Sequence, residues 1–346
     1  GAPPHPGGRG RGTAPTTLYQ FTLIAYERNT GKEAWRSVAI ETVPHESGHG
    51  TNTHASASPI TDGKHLYASF GSQGIFCFDM TGKEIWKRDL GDMQTRNAFG
   101  EGASPALHKD TLVVAWDHEG QSAIYALDAK TGEVKWATGR EEATAWGTPV
   151  IVEHKGKTQV ITNGTTVRSY DLATGTTLWE CPGQATNPIA TPIVRDGIAY
   201  CMTGYRGYAV FAIPLDSKGV VPRDKAVWNR TDAGPYVSTG VLYGDLLYYT
   251  KSRDAIMIAA NPKTGEKVIE ETRLPGLSSM YASMVAAKDR IYITSREGTT
   301  LVIKHGPKLQ VLATNTLDEG IDASPALVGK QMFIRGQKHL YCVEAK

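Results

Sequence analysis

Apolar and polar residues alternate along the chain in short runs, and each run then stops at a turn. HLYASF (65–70), TLVVAW (111–116), IAYCM (198–202), LLYYT (246–250) and IYITS (291–295) have the composition and period of β-strands. Turn-forming clusters precede them, such as TDGK (61–64), HKD (108–110), RDG (195–197) and YGD (243–245). A further apolar run follows, as in GIFCFD (74–79), AIYALD (123–128) and VRSYD (167–171). Next come a Thr-Gly turn and a fourth run that carries Trp. No window sustains a period of 3.6, so the pattern predicts an all-β protein with few helical residues.

The pattern repeats. A small residue, Ser or Thr, then Pro opens successive units at Ala57-Ser58-Pro59, Ala103-Ser104-Pro105, Gly147-Thr148-Pro149, Ala190-Thr191-Pro192 and Ala323-Ser324-Pro325. Weaker copies are Val237-Ser238-Thr239 and Ala282-Ser283-Met284. The Ser/Thr positions lie 46, 44, 43, 47, 45 and 41 residues apart. A period in the forties, with four strands per period, is that of a β-propeller built from four-stranded antiparallel blades.

A second phrase closes each unit. YALDAKTGEVKW (125–136) has relatives at 26–35, 78–86 and 170–179. Asp128 suits an Asx-type turn, accepting from backbone N–H groups just beyond it. Gly132 supplies positive φ. Trp136 is expected to wedge against the neighbouring blade, where truncation would cost about 3–5 kcal/mol. Trp35, Trp86 and Trp179, with Gly31, Gly82 and Gly175, are expected to play the same structural parts.

These phrases resemble the tryptophan-docking motif of the PQQ-like β-propeller repeat family. Ala126 to Trp136 matches its Ala, Asp, Gly and Trp positions fully. Ala25 to Trp35 has Glu27 in place of Asp, Ser169 to Trp179 departs at its first residue, and Cys77 to Trp86 is one residue short. Ala259 to Ile269 keeps Gly but has lost Asp and Trp, and DSKGVVPRDK interrupts the fifth unit before Trp228. The copy around Lys304-His305-Gly306 is degraded. The resemblance implies the fold and a periplasmic or extracellular location. It leaves function open, because the family holds quinoprotein dehydrogenases, BamB-like assembly scaffolds and propellers that bind no quinone.

Eight blades are favoured, with seven as the alternative. FTLIAYERNTGKEAW forms a good two-strand copy with its own turn. It reads as the outer half of a first blade whose inner half lies upstream or comes from a second chain. Residues 1–16, rich in Gly, Pro and Arg, are expected to be flexible, and 17–346 to form one propeller domain. The stretch has no signal-peptide core, and no apolar run approaches a membrane span.

Composition narrows the chemistry. A net charge of +2 gives no push toward nucleic acid. Cys77, Cys181, Cys201 and Cys342 form no CxxC, haem-attachment or adjacent pair. Cys77, Cys201 and Cys342 lie in apolar strand runs and are expected to be buried.

Ligands of such a fold are expected around the mouth of the channel, on loops that precede each opening phrase. Two of these, 38–56 and 89–102, are long. The residues just before the openings include Trp146, Tyr236, Tyr281 and Asp322, with Asn187 close by. Arg206, Lys251, Arg253, Arg296, Arg335 and Lys338 sit in later second-to-third-strand loops. Asp92, Glu101, Asp117 and Glu119 give the early loops an acidic cast. A small polar, planar or glycan ligand would suit this set, and plugging of the channel by the aromatic rings is the structural alternative. His45, His49 and His54 form a second candidate, a metal site completed by Glu46 or Glu101.

The favoured reading is a non-catalytic binding or scaffolding propeller with a protein or small polar ligand and no cofactor. One alternative is a quinoprotein oxidoreductase using PQQ and Ca²⁺, although the adjacent cysteines that the quinoprotein alcohol dehydrogenases place over their quinone are missing. Another is a metal-dependent enzyme on the histidine loop.

Overall fold

The computed structural model describes residues 13–344. Of the segment expected to be flexible, residues 1–12 lie outside the described residues. Helix is limited to three short 3-10 turns among the described residues, at Gly71–Gln73, Arg96–Ala98 and Arg223–Lys225.

The strands form eight small sheets in which chain neighbours are sheet neighbours, apart from the short strand Gly219–Val220, which joins the preceding sheet. Five sheets have four strands, one has five, one has three and one has two. The fold is a β-propeller of small, mainly antiparallel sheets. Sheets of three or more strands number seven. The two-stranded sheet, Tyr19–Tyr26 with Glu33–Thr42, is the pair that the sequence assigned to a partial eighth blade.

By internal packing the described chain falls into two compact units. One runs to Gly164 and includes Ser169–Thr177; the other holds Thr165–Arg168 and the chain from Leu178 onward.

In the N-terminal unit the hydrophobic core is cut into slices between sheets. One slice holds Phe21, Phe70, Phe76 and Phe78. The next holds Tyr67, Cys77, Trp86, Leu112, Val114 and Leu127. A third holds Val113, Ile124, Val160 and Tyr170. Both faces of the strand Thr111–Trp116 are therefore buried along its length, and every residue after Thr111 is apolar.

The closing phrase explains how one sheet grips the next. Asp128 Oδ1 accepts from the N–H groups of Lys130 and Thr131, and Asp79 and Asp171 act alike in their turns. Gly132 has φ of +71°. A Cβ there would lie 2.6 Å from the ring of Trp86, the tryptophan of the preceding unit. Gly82 receives Trp35 and Gly175 receives Trp136 in the same way. Each indole N–H then donates to a carbonyl of the receiving turn: Trp35 to Met80, Trp86 to Ala129 and Trp136 to Leu172, at 2.8–2.9 Å. Glycine at this position thus meets two demands, a left-handed backbone and room for an indole.

The opening phrase makes a second series of links. Ser58 N–H donates to Ser104 Oγ and Ser104 N–H to Thr148 Oγ1. Deep in the same unit, Arg140 and Asp117 form a bidentate pair whose side chains are 3% and 2% exposed. Thr162 and the Tyr170 hydroxyl complete the guanidinium's bonds.

The C-terminal unit repeats the scheme less regularly. Its core slices centre on Tyr200, Met202, Val210, Tyr249 and Ile258, and on Tyr248, Met257, Ile291, Ile293 and Leu301. Thr191, Thr239, Ser283 and Ser324 continue the hydroxyl links at 2.9 Å. The fifth opening is therefore centred on Thr239 and not on Ser238, whose hydroxyl pairs with Thr250. Trp228 donates to the Pro262 carbonyl and rests on Gly265, where Asn261 takes the place of Asp in the turn. Trp179 is fully buried, yet its indole N–H finds no partner among the described residues. Here the insertion supplies a short strand, Gly219–Val220, that runs parallel to Trp179 and Glu180. Cys342, expected to be buried, is exposed, whereas Cys77, Cys181 and Cys201 are buried; all four are free thiols. Cys342 lies on Leu340–Glu344, the edge strand of the three described in its sheet.

Candidate functional site

Two regions hold the candidate residues, one in each unit. In the N-terminal unit the two long loops are stitched together. His49 N–H and the Asn52 amide both donate to the Phe99 carbonyl at 2.9 Å, and Ser47 Oγ donates to the Ala98 carbonyl. His45 Nε2 lies 2.7 Å from the Met93 carbonyl. A carbonyl only accepts, so Nε2 carries a proton and Nδ1 is the ring nitrogen left for another partner. Nδ1 is 3.9 Å from Asp92 Oδ1.

Glu46 accepts from the N–H and hydroxyl of Thr95. Glu101 accepts from the N–H of Ser72 at 2.7 Å and from its hydroxyl. Burial pushes the Glu101 carboxyl up to about 6, against the lowering effect of the Ser72 bonds. His45, Glu46 and Glu101 each offer a ligand atom, all within 4.8 Å of one another. His49 and His54 are not in this group. His49 Nδ1 pairs with Thr51 and its ring meets Phe99 edge-on, while the His54 ring meets Tyr19.

Trp146 donates to the Gly100 carbonyl at 2.8 Å. It borders a cleft with His54, Ser56, Glu101, Phe70 and Trp116. The free space there is about 20 Å³, room for a water molecule but not for an organic ring system. The acidic residues expected to colour this region divide: Asp117 and Glu101 are held inward, whereas Asp92 and Glu119 are exposed. Asp117 is buried against Arg140, and Glu119 accepts from Thr144 and lies 3.3 Å from Arg96.

The C-terminal unit gathers the other candidates into an aromatic and cationic group. Tyr236 stacks on Tyr205 with ring centroids 4.7 Å apart and planes at 22°. Burial raises the Tyr236 hydroxyl's pKa, Asn187 hydrogen-bonds it, and Tyr205, Tyr281 and Arg253 are near enough to influence it electrostatically. The Arg296 guanidinium lies 4.0 Å from the Tyr281 ring centre and pairs with Asp322 at 2.6 Å. Arg206 lies over Tyr205. Among the described residues Arg206 and Arg253 are exposed cations without a carboxylate partner. Lys251, by contrast, is paired with Glu271.

Sequence reasoning missed Tyr205, Ser72 and Thr95. Tyr205 had a visible signal: it sits in GYRGY (204–208), where an aromatic residue adjoins a turn arginine. Ser72 and Thr95 had none, because their roles arise only when distant loops meet.

Repeating Trp–Gly contacts between small sheets, with polar chemistry confined to loops, define a propeller of the PQQ-like repeat class. The family described as "Outer membrane protein assembly factor BamB" matches residues 20–271, and the chain belongs to it. No curated protein sequence matches at a significant level. Solved structures do. BamB from Moraxella catarrhalis is similar with a TM-score of 0.64 at 16% identity, covering 94% of this chain and 97% of that one. A europium-containing methanol dehydrogenase gives 0.67 at 11% identity, covering 93% and 80%. The quinohemoprotein alcohol dehydrogenase from Comamonas testosteroni gives 0.62 at 11% identity, covering 90% and 67%. At these identities the likeness concerns the fold.

PQQ would need an open aromatic platform, cations for its carboxylates and a Ca²⁺ site. The present residues fit it poorly. Tyr205 and Tyr236 cover one another, Arg296 covers Tyr281, and the cleft beside Trp146 is water-sized.

Proposed function

We propose that the chain is a non-catalytic binding propeller. Its partner is a protein segment bearing carboxylates and aromatic side chains, and it docks on the tyrosine–arginine group of Tyr205, Arg206, Tyr236, Arg253 and Tyr281, with buried Asn187 positioning the Tyr236 hydroxyl from below. The observation that carries this reading is the pair of exposed guanidinium groups, Arg206 and Arg253, that no carboxylate among the described residues neutralises, beside half-buried tyrosines. Exposed arginine next to tyrosine is the composition of a protein-contact hot spot. Membership of a family described as an assembly factor supports a protein partner over a small metabolite. It also favours a periplasmic or extracellular location. No helix among the described residues is long and apolar enough to cross a membrane.

Catalysis by PQQ with Ca²⁺ is the competing reading, and fold likeness to dehydrogenases is its support. One titration separates the two. The purified chain is heated with PQQ and Ca²⁺, and its melting temperature and alcohol-dependent dye reduction are followed. Binding without catalysis predicts neither a Ca²⁺-dependent saturable rise nor dye reduction. Both together would replace this reading with the oxidoreductase one.

A further inference from the structure

The geometry points to a divalent transition-metal site at His45, Glu46 and Glu101, which clips the loop 38–56 to the loop 89–102. This goes beyond the binding function proposed above and does not depend on it. Ligands on one ion at about 2.0–2.4 Å are separated by no more than about 4.8 Å. The three groups satisfy that limit before any ion is present.

Two further observations point to a cation. First, neither carboxylate has a Lys or Arg partner among the described residues, although both are partly shielded from water. Their partners are the N–H and hydroxyl groups of Ser72 and Thr95, which fix each carboxylate in place but supply no full positive charge. Second, the small space bordered by His45, Glu46, His54, Phe70 and Glu101 measures about 20 Å³, which suits an ion or a water and nothing larger. The Met93 carbonyl holds the His45 Nε2 proton, so Nδ1 is the nitrogen free to bind. One imidazole and two carboxylates suit Zn²⁺ or Mn²⁺ better than Ca²⁺, which takes oxygen ligands alone. Asp92, 3.9 Å from Nδ1, is close enough to hold a metal-bound water.

The test is calorimetric titration of the metal-stripped full chain with ZnCl₂ and MnCl₂, with CaCl₂ alongside. The site predicts one equivalent of Zn²⁺ or Mn²⁺ and weaker Ca²⁺ binding. His45→Ala, Glu46→Gln and Glu101→Gln should each weaken binding at least about 10-fold, and His49→Ala should not. Gly71→Ala offers a route that leaves every ligand intact. Its Cβ would fall 1.3 Å from Glu101 Oε2, so it should displace that carboxylate and weaken binding like Glu101→Gln. Should the variants fold poorly, the Mn²⁺ spin-resonance signal of the wild-type chain decides alone. Loss of free Mn²⁺ signal at one equivalent supports the site, and an undiminished free signal overturns it. Equal loss of binding in His49→Ala and His45→Ala would also overturn it.

Discussion

The two units use the same repeat differently. In the N-terminal unit three successive tryptophans, Trp35, Trp86 and Trp136, each rest on the glycine of the next turn. One loop charge pair there, Asp117–Arg140, is buried, although Asp92 and Glu119 stay exposed. In the C-terminal unit only the Trp228–Gly265 contact keeps that form. At Trp179 an inserted strand pairs with the backbone instead. A Tyr248–His305 hydrogen bond of 2.9 Å, with the imidazole set over Gly244, occupies the degraded copy. There the loops display Arg206 and Arg253 to solvent. The repeat is strict where its turns serve only to join sheets, and it loosens where loops carry exposed chemistry.

Ionic pairs give the sharpest way to break this contrast. Asp117→Ala would strand a buried guanidinium and should destabilise the chain by about 3–5 kcal/mol in denaturant unfolding. Asp322→Ala removes the partner of Arg296, whose side chain is 28% exposed, and should cost about 1 kcal/mol or less. Equal costs would erase the distinction. Trp136→Ala should lose about 3–5 kcal/mol as well, with Trp228→Ala falling in the same range because its contact has the same geometry. Gly132→Ala should cost about 1–3 kcal/mol, from its left-handed backbone and the indole above it. At the small end, Arg253→Glu should leave the melting curve within about 0.5 kcal/mol of wild type, since the guanidinium holds nothing in the fold.

Much of this architecture was legible because it rests on local chemistry. The Asp turn and the positive-φ glycine follow from residues near in sequence, whereas TLVVAW, read as an alternating strand, is buried on both faces because a sheet packs on each side of it. Which glycine each tryptophan would meet was harder to read, since the contact lies about 45 residues on. The fifth opening slipped by one position because Val237-Ser238-Thr239 has no proline to anchor the alignment, and only the Thr239 hydrogen bond fixes it. The histidine loop showed the limit of spacing arguments. His45, His49 and His54 are close in sequence, yet the loop turns His49 toward Phe99 and His54 toward Tyr19. Glu101 reaches His45 instead, because the second long loop folds back on the first. Exposure of Cys342 follows from its place on an edge strand, which no local pattern reports.

The most direct test of the proposed binding surface is a peptide-array measurement with the purified chain. The array would carry acidic peptides with and without aromatic residues, probed by wild type and by the Arg206→Glu/Arg253→Glu double variant at low and high salt. The proposal predicts salt-sensitive wild-type binding to peptides carrying both carboxylates and aromatics, weakened at least about 10-fold by the double reversal with unchanged melting temperature. Binding that the reversal leaves intact, or no binding to any acidic peptide, would contradict it.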